Sequence, residues 1–225
     1  MNKDEKNKSK NGDKARQRLL DAAEKLFAEH GFDGVPVRDI TSLANCNVAA
    51  INYHFGGKDK LYLEIMKNRM ETLREIRINS IKEVMSRPGT TLEDLLRAFS
   101  WAFLNPLVDE ESGAQLMKLM IREMLDPHLP SNMLFEKVIK PVVNELVEGI
   151  MKACPGIDML KAAFCIHSIV AQLLHTIHTT KMLAKVESLP LPWETPTFED
   201  FVDHIVEFSA AAIRSFADKA REINA

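Results

Sequence analysis

Apolar residues recur at steps of three and four along almost the whole chain. No stretch alternates apolar with polar residues long enough to make a strand, so the pattern predicts an all-α protein. The first helix is expected over 14–30, where Leu19, Leu20, Ala23, Leu26, Phe27 and His30 share one face and Gly31 provides the stop. Pro36 and Val37 then open a short helix with Val37, Ile40, Thr41 and Ala44 inward. Asn45, Cys46 and Asn47 make a turn, and Asn45 suits a left-handed backbone. A helix over 48–54 follows, with Ile51 and Phe55 inward, and Gly56 and Gly57 close it. Lys58 starts a long helix over 58–86, about 40 Å in length, whose inner stripe is Leu61, Ile65, Leu73, Ile76 and Val84.

Beyond Arg87, Pro88 and Gly89 the pattern is helix after helix. Thr91 caps one that stops before Pro106. Others are expected over 112–125, over 131–153 with a bend at Pro141, and over 157–186. A proline-rich loop spans 189–196, and Thr197 with Asp200 forms a capping box for a last helix ending near 222. Residues 1–13 are polar, carry four lysines and lack apolar periodicity, so they are expected to be a disordered arm.

The short helix, tight turn and second short helix within 38–61 form the pattern of a helix-turn-helix, the unit that lays a recognition helix in the DNA major groove. In the second short helix, the methyl of Ala49 or Ala50 could pack on a thymine methyl, and Asn52 could pair with adenine. Arg38 could reach a guanine or a phosphate. Lys58, beside the free N–H groups of a helix start, is suited to a phosphate.

The stretch 16–63 resembles the DNA-binding domain of the TetR/AcrR family of bacterial transcriptional regulators, through LLDAAEKLFAEHGFDG, VRDIT and AAINYHFGGKDKLY. The wording AAINYHFGGK is most similar to the branch with a cefoperazone/chloramphenicol-sensitivity-type C-terminal domain. The resemblance implies that Tyr53, His54 and Lys58 position phosphates. This chain departs from the family in having Asn45 where a turn glycine is usual, and Ala50 and Asn52 where Thr or Ser and then Tyr are common. The base preferences of better-known members therefore do not carry over.

Charge is divided unevenly. Residues 1–60 hold 11 Lys and Arg against 9 Asp and Glu, and the rest holds 18 against 23. A mildly basic head on an acidic body fits a regulator that touches few phosphates rather than a general DNA coater. Cys46, Cys154 and Cys165 are odd in number and lack CxxC spacing, which suggests reduced thiols in a cytoplasmic protein. The start of the chain has no apolar signal region, and no run of 18 apolar residues is seen, so no membrane is expected.

The last two long helices are largely apolar, and Ala210, Ala211 and Ala212 permit close approach. The resemblance implies that they build a four-helix bundle across a two-fold axis, with Ala210, Ala211, Ile213 and Arg214 at the homodimer interface. A single short recognition helix reads too few base pairs to be specific, which also favours a dimer. The helices over 91–153 are rich in Phe and Met. Phe99, Trp101, Phe103, Met117, Met120, Met124, Met133 and Phe135 are candidates to line an apolar effector pocket, with Arg122, Glu123 and His128 as polar contacts. Each could equally be ordinary core. His175 and His178 lie one turn apart but have no third metal ligand. No cofactor motif and no GxSxG, HExxH, phosphate-loop or GxGxxG signature is present, so an enzyme is not expected.

The sequence thus predicts three regions: an arm over 1–13, a three-helix helix-turn-helix head over 14–57, and a helical ligand-binding and dimerisation domain over 58–225. The expected function is a homodimeric regulator, a repressor that binds a palindromic operator and is released by a small apolar effector. The alternatives are a DNA-binding regulator controlled by a protein partner, and an all-α small-molecule or metal-binding protein without DNA binding.

Overall fold

A computed structural model describes residues 3–108, 112–183 and 196–223, and among them every regular element is a helix. In chain order these are α1 (Lys3–His30), α2 (Val37–Leu43), α3 (Ala49–Phe55), α4 (Lys58–Met85), α5 (Leu92–Val108), α6 (Ser112–Leu125), a π-helical turn (Phe135–Ile139), α7 (Lys140–Ala153), α8 (Met159–Leu183) and α9 (Phe198–Ile223). The chain forms two compact units. One comprises residues 1–71 and 110–133, the other 72–109 and 134–225. The division therefore falls within α4 rather than at residue 57, and α6 belongs with the first unit.

In the first unit α1 packs against α2 and α6. Leu19, Ala23, Phe27, Ile40, Ile51, Phe55, Leu61 and Ile65 form its core, while His30, expected inward, is exposed at the end of α1. Phe27 meets the Tyr62 ring edge-on at 5.2 Å, an arrangement that aromatic quadrupoles favour. α1 begins at Lys3, well ahead of the expected start at residue 14. Once a helix is nucleated by packing, adding lysine-rich turns costs little, and the arm contains no proline.

In the second unit α8 packs against α7, α9 and α5. Leu95, Leu96, Phe99, Leu104, Leu146, Ile150, Ile166, Ile169, Leu173, Val202 and Ile213 are buried there. α5 continues through Pro106 instead of stopping before it. Pro106 forgoes one bond to the carbonyl four residues back, and the helix ends two residues later at Val108. Residues 135–139 widen into a π-helical turn just before Pro141, where a bend is expected. The expected caps are present: Asp94 N–H bonds to Thr91 Oγ1 at 3.1 Å, and Asp200 N–H to Thr197 Oγ1 at 3.2 Å. Most of the loop expected over 189–196 lies outside the described residues.

The inner stripe of α4 corrects one expectation. Ile76 is 38% exposed, and Arg77 is buried in line with Leu73, Ile81 and Val84. These four stand at steps of four and three, which is one helix face.

Arg214 makes a paired contact from α9 to α5, with Nη1 and Nη2 at 2.5 and 2.7 Å from the two Glu93 oxygens. That bidentate bond holds the Glu93 carboxyl below its ordinary pKa of 4.5. A depressed carboxylate contributes stability above its unfolded pKa and loses it as pH falls through the folded one. Arg214→Met should therefore make acid unfolding shallower below about pH 4.5, by less than about 1 kcal/mol because the pair is solvent-screened. Melting temperatures of both proteins from pH 6 to pH 3 measure this, and parallel curves would show that the pair contributes nothing.

Candidate nucleic-acid interface and effector cavity

The turn before α3 has the backbone its sequence calls for: Asn45 sits at φ 50°. Asn47 Oδ1 accepts the Ala49 N–H at 2.6 Å and starts α3, a capping role that sequence reasoning missed. Gly56, at φ 76°, ends the helix. Between these stops Ile51 and Phe55 are buried, so the rest of the short helix has one way to face. Ala49, Asn52 and Tyr53 point to solvent, with Tyr53 85% exposed, and Ala50 and His54 are half-buried beside them. Tyr53 and His54 stack edge-to-face at 4.9 Å. Arg38 is exposed on α2. Lys58 is half-buried, its Nζ 4.3 Å above the Phe32 ring, which fixes the ammonium at the start of α4. Cys46 is half-buried, and Arg18 Nη2 lies 3.7 Å from its sulfur.

The polar residues expected around an effector are engaged elsewhere. Arg122 Nε donates to Ala28 O at 3.2 Å and Nη2 to Glu29 O at 2.7 Å, tying α6 to the last turn of α1. A cation on those free carbonyls also suits the negative end of the helix. Glu123 accepts Tyr62 O–H at 2.8 Å and the backbone N–H groups of His128 and Leu129 at 3.0 and 2.7 Å. Burial, and then the bond to Glu123, push the Tyr62 hydroxyl far above its ordinary pKa, so it stays a donor. His128 lies against Phe32, ring centres 4.5 Å apart. Met117 and Met120 are half-buried on α6, and Met124's side chain lies outside the described residues. Trp101 is half-buried on α5, and Phe135 is 51% exposed.

The second unit holds an apolar cavity of about 250 Å³ that Phe99 and Phe103 line, as expected, but Trp101, Met117, Met120, Arg122, Glu123, His128 and Phe135 do not. Phe99 and Phe103 of α5, Val138 and Ile139 of the π-helical turn, Val142 of α7 and Ile166 of α8 form its walls, and Arg77 of α4 enters it. Adding one residue to a helical turn re-aims the side chains before it, and such turns are frequent at functional sites.

At the other expected interface, Ala210 and Ile213 are fully buried within their own subunit, and Arg214 is paired with Glu93; of the four, Ala211 stands exposed. The outward face of α8 and α9 is instead aromatic. Phe164 and Phe208 are each 58% exposed and, with Phe216, border a groove floored by Cys165, Ser209 and Ala212. The spacing of Leu160 and Phe164 on one helix, and of Phe208, Ala212 and Phe216 on the other, is a signal in the sequence.

This second apolar face raises the hydropathy of α8 as a whole. Within α8, Met159–Thr180 has a mean hydropathy of 1.4, long and apolar enough by length and composition to cross a membrane. The stretch is still no unbroken apolar run, since Lys161, His167, Ser168 and Gln172 interrupt it. One side of α8 is core and the other carries exposed Leu160, Phe164 and Leu174, so both faces raise the mean. His175 bonds to Thr179 at 3.1 Å. Among the described residues, Asp33, Asp126 and His128 bring metal-capable atoms within 4.8 Å of one another, and the helix 8 histidines are not part of that group.

Comparison with known proteins also finds two parts, but its second part includes α6, which packs with the first compact unit. Residues 19–65 match the model of bacterial regulatory proteins of the tetR family, and residues 92–213 match the C-terminal domain of the HTH-type transcriptional dual regulator CecR. CecR of Shigella flexneri is 26% identical over 162 residues, covering 70% of this chain and 72% of its own. The HTH-type transcriptional repressor AcnR of Corynebacterium efficiens is 37% identical over 78 residues, 33% of this chain and 42% of its own. A TetR-family regulator from Mesorhizobium loti superposes with a TM-score of 0.60 at 15% identity, covering 91% of this chain and 96% of that one. That likeness speaks to the fold alone.

Proposed function

This chain belongs to the TetR family of bacterial regulatory proteins, with a CecR-type C-terminal domain, and from that premise we propose that it is an effector-responsive homodimeric repressor of a palindromic operator. The observation that carries the reading is α3, a seven-residue helix held by Ile51 and Phe55 with Ala49, Asn52 and Tyr53 turned outward. Asn52, and the methyls of Ala49 and Ala50, read base edges. Arg38, Tyr53, His54 and Lys58 contact phosphates and set the register. Two such helices, one per subunit, read the half-sites. The repressor names of relatives such as AcnR support repression as the direction of control. Operator DNA as the target places the protein in the cytoplasm.

Release works through populations. A small, mainly apolar effector in the cavity of the second unit favours the DNA-free arrangement only as far as it binds that arrangement more tightly. A tenfold loss of operator affinity needs about 1.4 kcal/mol of such preference. Arg77, at the cavity, and Lys58, at the DNA end, lie on the same helix.

The division of labour in the head is testable by binding-site selection and salt titration. Lys58→Ala should weaken binding to all sequences alike and flatten the salt dependence by about one unit. Asn52→Ala should relax preference at one base pair per half-site, by about 1–3 kcal/mol. Loss of the same motif positions in both variants would refute the assignment, and wild-type protein that selects no motif would refute the DNA-binding reading itself.

A further inference from the structure

The cavity of the second unit contains a cation without a counter-charge. Arg77 projects from α4, is only 9% exposed, and its Nε has no hydrogen-bond partner among the described residues. No ion pair involving it is found among them either. Its guanidinium carbon stands 4.2 Å over the Phe103 ring, a contact that tolerates the charge but offers the N–H groups no acceptor. The other wall residues are Phe99, Val138, Ile139, Val142, Val143, Ala163, Ile166 and Val170, all apolar, with exposed His167 also lining the space. Burial alone pushes the Arg77 guanidinium down to about 10, with no neighbouring carboxylate opposing the shift.

A buried, unpaired cation is costly to a folded chain, and such groups are ordinarily paired. Here the walls leave that role to an occupant. We propose that the cavity binds a small organic anion, a carboxylate on an aromatic or short alkyl body, with the carboxylate on Arg77 and the body against Phe99, Val138, Val142 and Ile166. The inference rests on the effector reading above and narrows its ligand from an apolar molecule to an amphipathic acid. Guanidinium is the group best matched to a carboxylate, through paired N–H donors. At about 250 Å³ the space lies below the usual range for drug-sized ligands, roughly 300–1,000 Å³, which points to a compact acid.

The test is calorimetric titration of the full chain with 4-phenylbutanoate and with its neutral counterpart, 4-phenylbutanamide. Wild-type protein should bind the acid at least about tenfold more tightly than the amide, as a charge-assisted bond to a largely buried guanidinium requires. Arg77→Met should abolish that preference while retaining amide binding, and Arg77→Lys should keep part of it. Equal affinities in the wild type, a preference that survives Arg77→Met, or no saturable binding of either compound would overturn the proposal. Should Arg77→Met fail to fold, the wild-type comparison and Arg77→Lys decide the matter. Operator binding is measured separately with and without the acid. An acid held by Arg77 that leaves operator affinity unchanged would keep this inference and overturn the effector reading.

Discussion

Phe208→Glu is expected to convert the dimer to a monomer and to weaken operator binding by roughly a thousandfold, the low end of the gap between specific and non-specific DNA affinity. Phe208 is 58% exposed and shares the α8–α9 groove with Phe164 and Phe216. Contiguous aromatic surface of this kind is characteristic of a contact between proteins. A carboxylate at its centre would have to be buried without a partner each time two subunits met, at a cost of several kcal/mol. The same substitution leaves the fold of one subunit intact, because the ring is already largely outside the core. Sedimentation velocity and operator titration on the same preparation are the measurements. A dimeric Phe208→Glu protein with wild-type operator affinity would place the interface elsewhere.

Arg77→Met is expected to stabilise the ligand-free protein by about 1–3 kcal/mol. A guanidinium lowered from 12.5 to about 10 carries a penalty of about 3 kcal/mol in its charged form, at roughly 1.4 kcal/mol per unit. Loss of the Phe103 contact returns about 0.5–2 kcal/mol of that. The sign follows from linkage. The unfolded chain holds this proton more tightly, so the wild-type deficit is full at all pH values below about 10 and is relieved only as pH rises through the folded value. The gain should therefore be constant across the neutral range. Methionine has a similar reach and an adaptable thioether, so overpacking is small. Urea unfolding at pH 6, 7 and 8 reads it. A variant less stable than wild type would mean that the charge is compensated in the folded chain.

Much of the first unit was legible in the sequence because its local signals agree with one another. The left-handed Asn45, the glycine stop at Gly56 and the inward pair Ile51 and Phe55 leave the short helices no alternative arrangement. The second unit was legible as a set of helices but not as a site. Arg122, Glu123 and His128 are polar residues in a Met-rich stretch, which suggests a ligand, yet which helix α6 packs against is a long-range fact. Arg122 reaches Ala28 and Glu29, over ninety positions away in the chain. Arg77 was missed for the opposite reason. Its spacing from Leu73 and Ile81 puts it on the buried face, and a charged residue there was passed over in favour of Ile76. Ala210 and Ile213 were assigned to an interface because small and apolar residues suit both a core and a dimer face, and composition cannot separate the two.

The π-helical turn over Phe135–Ile139 amounts to a single inserted residue, absorbed without disturbing α7 beyond it. Deleting one residue there would restore the ordinary helical repeat and swing everything before it by about 100° around the axis. Val138 would leave the cavity wall and another side chain would take its place, while Leu146 and Ile150 kept their seats in the core. A one-codon insertion or deletion in this turn is thus a route by which related chains could acquire a different chemical taste while α7 keeps its place in the core.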